Sequence, residues 1–219
     1  MTLRIRADFA ATEWVAPEDH RWVASPEAGV DRVMLDRIGD EVAVATSIVR
    51  YRPGSRFASH VHERGEEFLV LDGVFADEHG AYPAGTYVRN PPGSRHTPRS
   101  DSGCTLFVKL RQFASDDLEP VVIDTTQIDP SVPDGSTRSH TLHRFRDEEV
   151  SLIDGGNGAI RTFPPTQTPR ELLMMSGEGD ALDHRLTPRA WLRVPAGRST
   201  TLRFLRTGRA FVKTRPDVD

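Results

Sequence analysis

The chain has 219 residues, with 28 Lys and Arg against 32 Asp and Glu, a formal net charge of −4, 37% hydrophobic residues, 17 Gly and 16 Pro. That mix describes a turn-rich globular protein, and no clustered basic stripe is present that would neutralise a nucleic-acid backbone. The single cysteine, Cys104, excludes an intrachain disulfide and a multi-cysteine zinc site.

No apolar run approaches the roughly 20 residues that a membrane span needs. The opening MTLRIRADFAATEW lacks the apolar core of a secretion signal, so a cytoplasmic protein is expected. Short β-type runs then recur at 29–38, 41–51, 66–71, 85–90 and 103–113. RPGS, DEHG, YPAG and NPPGS separate them, the punctuation of an antiparallel sheet. The acidic, proline-bearing stretch 114–139 reads as a crossing between two units. Strand-like runs resume at 149–153, 171–176 and 190–194.

The two halves align without a gap, residues 66–96 on 170–200. Glu67, Leu69, Gly73, Arg89, Pro91 and Gly93 meet Glu171, Leu173, Gly177, Arg193, Pro195 and Gly197. The matches include a turn glycine after the apolar strand and a P-x-G turn, where backbone geometry restricts the choice of residue. An internal duplication of one β-unit is the expectation.

His60 and His62 lie one residue apart on a strand and so share a face. Glu66 has the same parity, and the Arg64-Gly65 step can turn its carboxylate back toward the imidazoles. His96 follows a proline-glycine turn on a neighbouring strand. Three neutral imidazoles and one carboxylate suit Zn, Fe(II), Mn, Ni or Cu, whereas Ca or Mg would want mainly oxygen. Glu67, of opposite parity, should face away and make a structural contact, and is the runner-up ligand. His20, His79, His140, His143 and His184 have no such company and are expected on the surface or in loops. Cys104, Met174 and Met175, and Trp14, Trp22 and Trp191 read as packing residues.

The spacing of Gly54, His60-Val61-His62, Glu66 and Gly73 resembles the first cupin motif in full. Gly85, Pro91-Pro92-Gly93 and His96 resemble the second, with Ser100 where the motif has Asn. The tracts HVHERGEEFLVLDGVF and YPAGTYVRNPPGSRH are most similar to the cupin domain of the ChrR group, known for a zinc-dependent anti-sigma factor and with acetylacetone-cleaving dioxygenases among its relatives. The resemblance implies an all-β chain of two tandem jelly-roll barrels: 1–118, holding one divalent metal on His60, His62, Glu66 and His96, and 119–219, degenerate. At the ligand places the second half has Pro164, Thr166, Arg170 and Thr200, none of which replaces an imidazole or a carboxylate.

Zinc is the expected occupant as purified, Fe(II) that of an oxygenase, with Mn or Ni as alternatives. The functional expectation is a mononuclear metal-dependent, dioxygenase-like enzyme acting on a small organic molecule. The alternative is a ChrR-like zinc sensor or regulator without its own sigma-binding domain. Expected partners are a small-molecule substrate or ligand, with no direct nucleic acid and no membrane, in a monomer or homodimer. No general base can be named, and the 41–51 run shows small or apolar residues on both faces, so parity does not reveal a pocket.

Overall fold

Alternating small, β-branched and polar residues give the runs Val30–Ile38, Val44–Tyr51 and Cys104–Leu110 faces suited to a rolled sheet. The computed structural model, which describes residues 2–216, shows an almost entirely β chain in which every strand pairing is antiparallel. It divides into two compact units. One comprises residues 2–7 and 21–128, the other 8–20 and 129–216. Measured against the expected ranges 1–118 and 119–219, residues 119–128 group with the first unit and 8–20 with the second.

In the first unit the main sheet runs Arg4–Ile5, Val30–Ile38, Val44–Tyr51, Cys104–Leu110, Glu66–Ala76, Thr86–Asn90, Val121–Asp124. In the second it runs Thr137–Phe145, Glu148–Gly155, Thr200–Thr214, Arg170–Ala181, Trp191–Val194, Glu13–Val15. The duplication is kept in the register. Glu67 stands opposite Arg89 on one side and Lys109 on the other, and Glu171 stands opposite Arg193 and Lys213.

Each repeat also acquires an added edge strand. Val121–Asp124 pairs with Thr86–Asn90 in one unit, and Glu13–Val15 with Trp191–Val194 in the other. The expected 114–139 crossing is therefore partly ordered structure.

Gly73 and Gly177 do not end their strands, as the sequence implied, but bend them from within. Both have φ of 72°, inside Glu66–Ala76 and Arg170–Ala181. A Cβ would sit 2.1 Å from the Gly103 carbonyl oxygen at the first and 2.3 Å from that of Thr207 at the second. The neighbouring strand passes too close for any other residue, and the ladder register slips beside each of them.

Phe68, Val70, Phe75, Val88, Leu106 and Val108 build the apolar core of the first unit. Phe163, Leu172, Met174, Val194, Leu202 and Phe204 build that of the second. Each such side chain contributes about 1.5–3 kcal/mol by leaving water. Trp14 joins the second core from the added edge strand. Its ring stacks on His184 at 4.9 Å and its Nε1 donates to the Arg185 carbonyl at 3.2 Å. Trp14→Ala should therefore lower stability by about 3 kcal/mol in urea-induced unfolding. A loss below about 0.5 kcal/mol, the range of an ordinary surface change, would contradict the docking of this strand.

Candidate metal centre

The His60–His62 strand pairs with Ser94–His96, His60 opposite His96 and His62 opposite Ser94. Period-two geometry turns both imidazoles of the first strand to one side, and the pairing brings the third beside them. The chain then turns through Gly65, φ 75°, where a Cβ would meet the Phe113 ring at 2.5 Å, and enters the next strand at Glu66. The three ring centroids lie 4.7, 5.1 and 4.8 Å apart. His62 Nε2 is 2.8 Å from His96 Nε2. Glu66 Oε2 is 3.3 Å from the first and 3.5 Å from the second. One nitrogen from each of the three rings lies within 4.8 Å of the others.

Outer contacts fix which nitrogens face inward. His60 Nδ1 is 3.0 Å from the Ala58 carbonyl oxygen, which can only accept, so Nδ1 carries the proton. His96 Nδ1 is 3.2 Å from Asp77 Oδ2 and donates to it. Asp77 is itself held by Tyr82 Oη at 3.2 Å and by the His79 and Gly80 amides at 2.8 and 3.2 Å. Nε2 of His60 and of His96 is thereby left unprotonated, as ligation requires. Asn90 Nδ2 donates to Glu66 Oε2 at 3.1 Å.

The electrostatics favour the same state. Burial pulls the His62 imidazole below its ordinary 6.5, against the upward pull of Glu66. Burial would raise Glu66, but His62, His96 and the Asn90 amide outweigh it and hold the carboxyl below its usual value. Neutral imidazoles around a carboxylate are what a divalent transition metal takes. Donors bound at about 2.0–2.2 Å to one ion lie about 2.8–3.6 Å apart, which the His62, His96 and Glu66 separations match. The four residues singled out from the sequence thus come together, and they can hold a metal ion.

The other expectations divide. Glu67 does point away, its Oε2 2.5 Å from Arg89 Nη1 in a buried pair that Asp117 extends. Ser100 is buried and donates to the Val74 carbonyl at 2.6 Å. Cys104 is buried, and burial pushes its thiol up to about 11. His79 is exposed. His143, expected on the surface or in a loop, is instead buried within Thr137–Phe145. His140 and His184 also lie on strands.

Sequence parity missed a cavity of about 500 Å³ lined by His60, His62 and Glu66. The strand Val44–Tyr51 supplies one wall through Ser47, Val49 and Tyr51, which face Val108, Leu106 and Cys104 across the ladder. Ser47 and Tyr51 are buried, and among the described residues neither hydroxyl has a hydrogen-bond partner. The Tyr51 ring packs on Phe57 and Phe75 at 5.4 and 5.6 Å, and each of these abuts one of the clustered histidines.

Residues 10–114 match the family model of the ChrR cupin-like domain. Among solved structures, the nickel(II) complex of the bacterial pirin YhhW from Escherichia coli is similar at TM-score 0.72 and 11% identity, covering 95% of this chain and 100% of that one. Oxalate decarboxylase from Bacillus subtilis, described for its Mn(II) centres, is similar at TM-score 0.65 and 13% identity, over 94% and 78%. Salicylate 1,2-dioxygenase from Pseudoaminobacter salicylatoxidans, solved as gentisate adducts, is similar at TM-score 0.59 and 10% identity, over 78% and 68%. No curated protein sequence matches the chain. The chain has the fold of two cupin barrels, and the first of them matches the ChrR cupin-like domain.

In this bicupin the pH behaviour of the cluster follows from the lowered His62. Above its ordinary pKa of 6.5 the imidazole is neutral both folded and unfolded. As pH falls through 6.5 the unfolded chain takes up the proton first, so stability is lost between 6.5 and the lower folded value. Metal-free protein should therefore show a melting point that falls as pH drops below about 6.5, and His62→Phe should flatten that fall. A wild-type melting point constant through this window would contradict the burial argument.

Proposed function

We propose that His60, His62, Glu66 and His96 hold one divalent transition metal and that the bicupin is a metal-dependent, dioxygenase-like enzyme acting on a small organic molecule. The observation that carries this reading is that the cluster opens onto the cavity rather than being closed over. Four protein donors leave about two positions on an octahedral ion, whereas a tetrahedral zinc bound by all four would leave none. The ion would supply a Lewis acid at which substrate and dioxygen meet, with Fe(II) as the working metal and zinc as the ion retained in purification.

The chain's own residues would do the rest. Val30, Val49, Leu106 and Val108 line the cavity and hold an apolar body away from water. Ser47 and Tyr51 are free to donate to substrate oxygens. Tyr51 stays protonated, because burial, and after it the Glu66 charge, raise its pKa well above 10.0. Asp77, through His96, and the Ala58 carbonyl, through His60, hold the inward nitrogens in place. The metal-bound or oxygenase descriptions of the three structural neighbours support the reading. No helix among the described residues is long and apolar enough to cross a membrane, and we place the activity in the cytoplasm.

Cobalt(II) substitution tests the open site. Weak visible absorption, as five- or six-coordinate Co(II) gives, that shifts on adding small diketones or carboxylates is the expected result. An intense tetrahedral spectrum, unmoved by any of them, would contradict the enzyme reading and favour a zinc sensor. Glu66→Ala should strip the metal while leaving the β-sheet circular dichroism signal intact, since apolar packing holds the barrel. Tyr51→Phe should keep the metal and lower substrate-dependent oxygen uptake at least about tenfold, the scale of a lost hydrogen bond to a charged or reacting oxygen. Unchanged uptake would remove Tyr51 from the site.

A further inference from the structure

The four positions of the second barrel that match the candidate ligands are not simply blank. Arg170 takes the place of Glu66 and is 5% exposed. Its only hydrogen bond among the described residues runs from Nη1 to the Pro164 carbonyl at 2.9 Å, and none of the carboxylates among those residues lies within ion-pair distance. Thr200 takes the place of His96, is 2% exposed, and its Oγ1 is buried without a hydrogen-bond partner. Thr200 pairs across the ladder with Phe163. The Arg170 guanidinium lies 5.1 Å from the centroid of that ring, and that of Arg161 5.7 Å from it. Arg161 likewise makes no hydrogen bond or ion pair among the described residues, and its Nε is buried. Glu149, the acid that acts through space on both Arg170 and Arg161, is already engaged by Arg144 at 2.7 Å and Ser151 at 2.9 Å.

Both guanidiniums lie against the Phe163 ring, and arginine does not shed its proton. An isolated buried charge is costly unless something pairs with it. Burial pulls the Arg170 pKa down, the direction expected of a cation without a partner. The chemistry required is a negative charge that accepts from planar N–H donors and from one hydroxyl. The occupant must be small, because Phe163, Leu172, Met174 and Val194 fill the interior beside these positions.

We infer that the second barrel binds a small monovalent anion at Arg170, Thr200 and Arg161, inverting the charge of the cluster in the first barrel. A guanidinium fork accepts a carboxylate in two parallel hydrogen bonds, so formate or acetate fits this geometry and chloride meets its charge. The bound anion would stabilise the second unit by mass action, and all of these residues belong to that unit.

The test is chloride-35 NMR line broadening on the full chain in gluconate buffer, with formate and acetate as competitors. Wild-type protein should broaden the chloride line, formate or acetate should reverse it, and Glu66→Ala should broaden it as wild type does. Displacement at lower concentration by a carboxylate than by added chloride would identify the carboxylate as the better ligand, and the reverse order the halide. Arg170→Met should weaken binding at least tenfold, with a melting point in gluconate no lower than that of wild type. If that variant does not fold, Thr200→Val should fold and bind several-fold more weakly. The inference is overturned if wild type gives no broadening, or if broadening persists unchanged in the folded variant.

Discussion

Two imidazole nitrogens at 2.8 Å, with a carboxylate oxygen 3.3 and 3.5 Å away, form a buried arrangement that is favourable only with a proton or a cation among them. The organisation of the first barrel follows from that constraint. The Ala58 carbonyl and Asp77 each claim an outer Nδ1 proton and leave the facing nitrogens bare. Tyr82 and two backbone amides hold Asp77, and burial followed by the Asp77 charge pushes the Tyr82 phenol up to about 12, so that it remains a donor. Gly65 makes the turn that returns Glu66 to the histidines, and the cavity begins where these donors end.

The second barrel shows what the scaffold requires apart from that cluster. Its register, bent glycine and buried charges match those of the first. Glu171 accepts from Trp191 Nε1 at 2.9 Å and pairs with Arg215 at 3.0 Å, while Glu67 pairs with Arg89. Lys213 pairs with Glu148 at 2.7 Å, and Lys109 donates to Thr46 at 3.1 Å. The inward positions diverge, carboxylate to guanidinium at Glu66 and Arg170, imidazole to hydroxyl at His96 and Thr200. Apolar packing of one barrel without the histidine set argues that the fold does not depend on a bound ion, unlike small zinc domains that unfold without theirs.

The strand runs and the four clustered residues were legible because period-two parity and turn glycines are local signals. The duplication was legible because its shared residues sit where backbone geometry and buried pairing limit the choice. What sequence did not reveal depends on register between distant segments. Ser47 and Tyr51 become cavity residues only once Val44–Tyr51 is rolled against Cys104–Leu110. Asp77 sits in a polar turn that reads as solvent-facing until His96 is placed beside it. The edge strands Glu13–Val15 and Val121–Asp124 are too short for a periodic signal, and Thr200–Thr214 is interrupted by Arg, Thr and Gly. His143 looked isolated in sequence because its burial is created by tertiary contacts.

Anomalous diffraction from crystals loaded with a single transition metal is the most direct measurement of the central claim. The account predicts one strong peak about 2.0–2.3 Å from His60 Nε2, His62 Nε2, Glu66 Oε2 and His96 Nε2, with no metal peak beside Arg170. A peak elsewhere, or an absent peak in crystals whose protein carries stoichiometric metal, would contradict it.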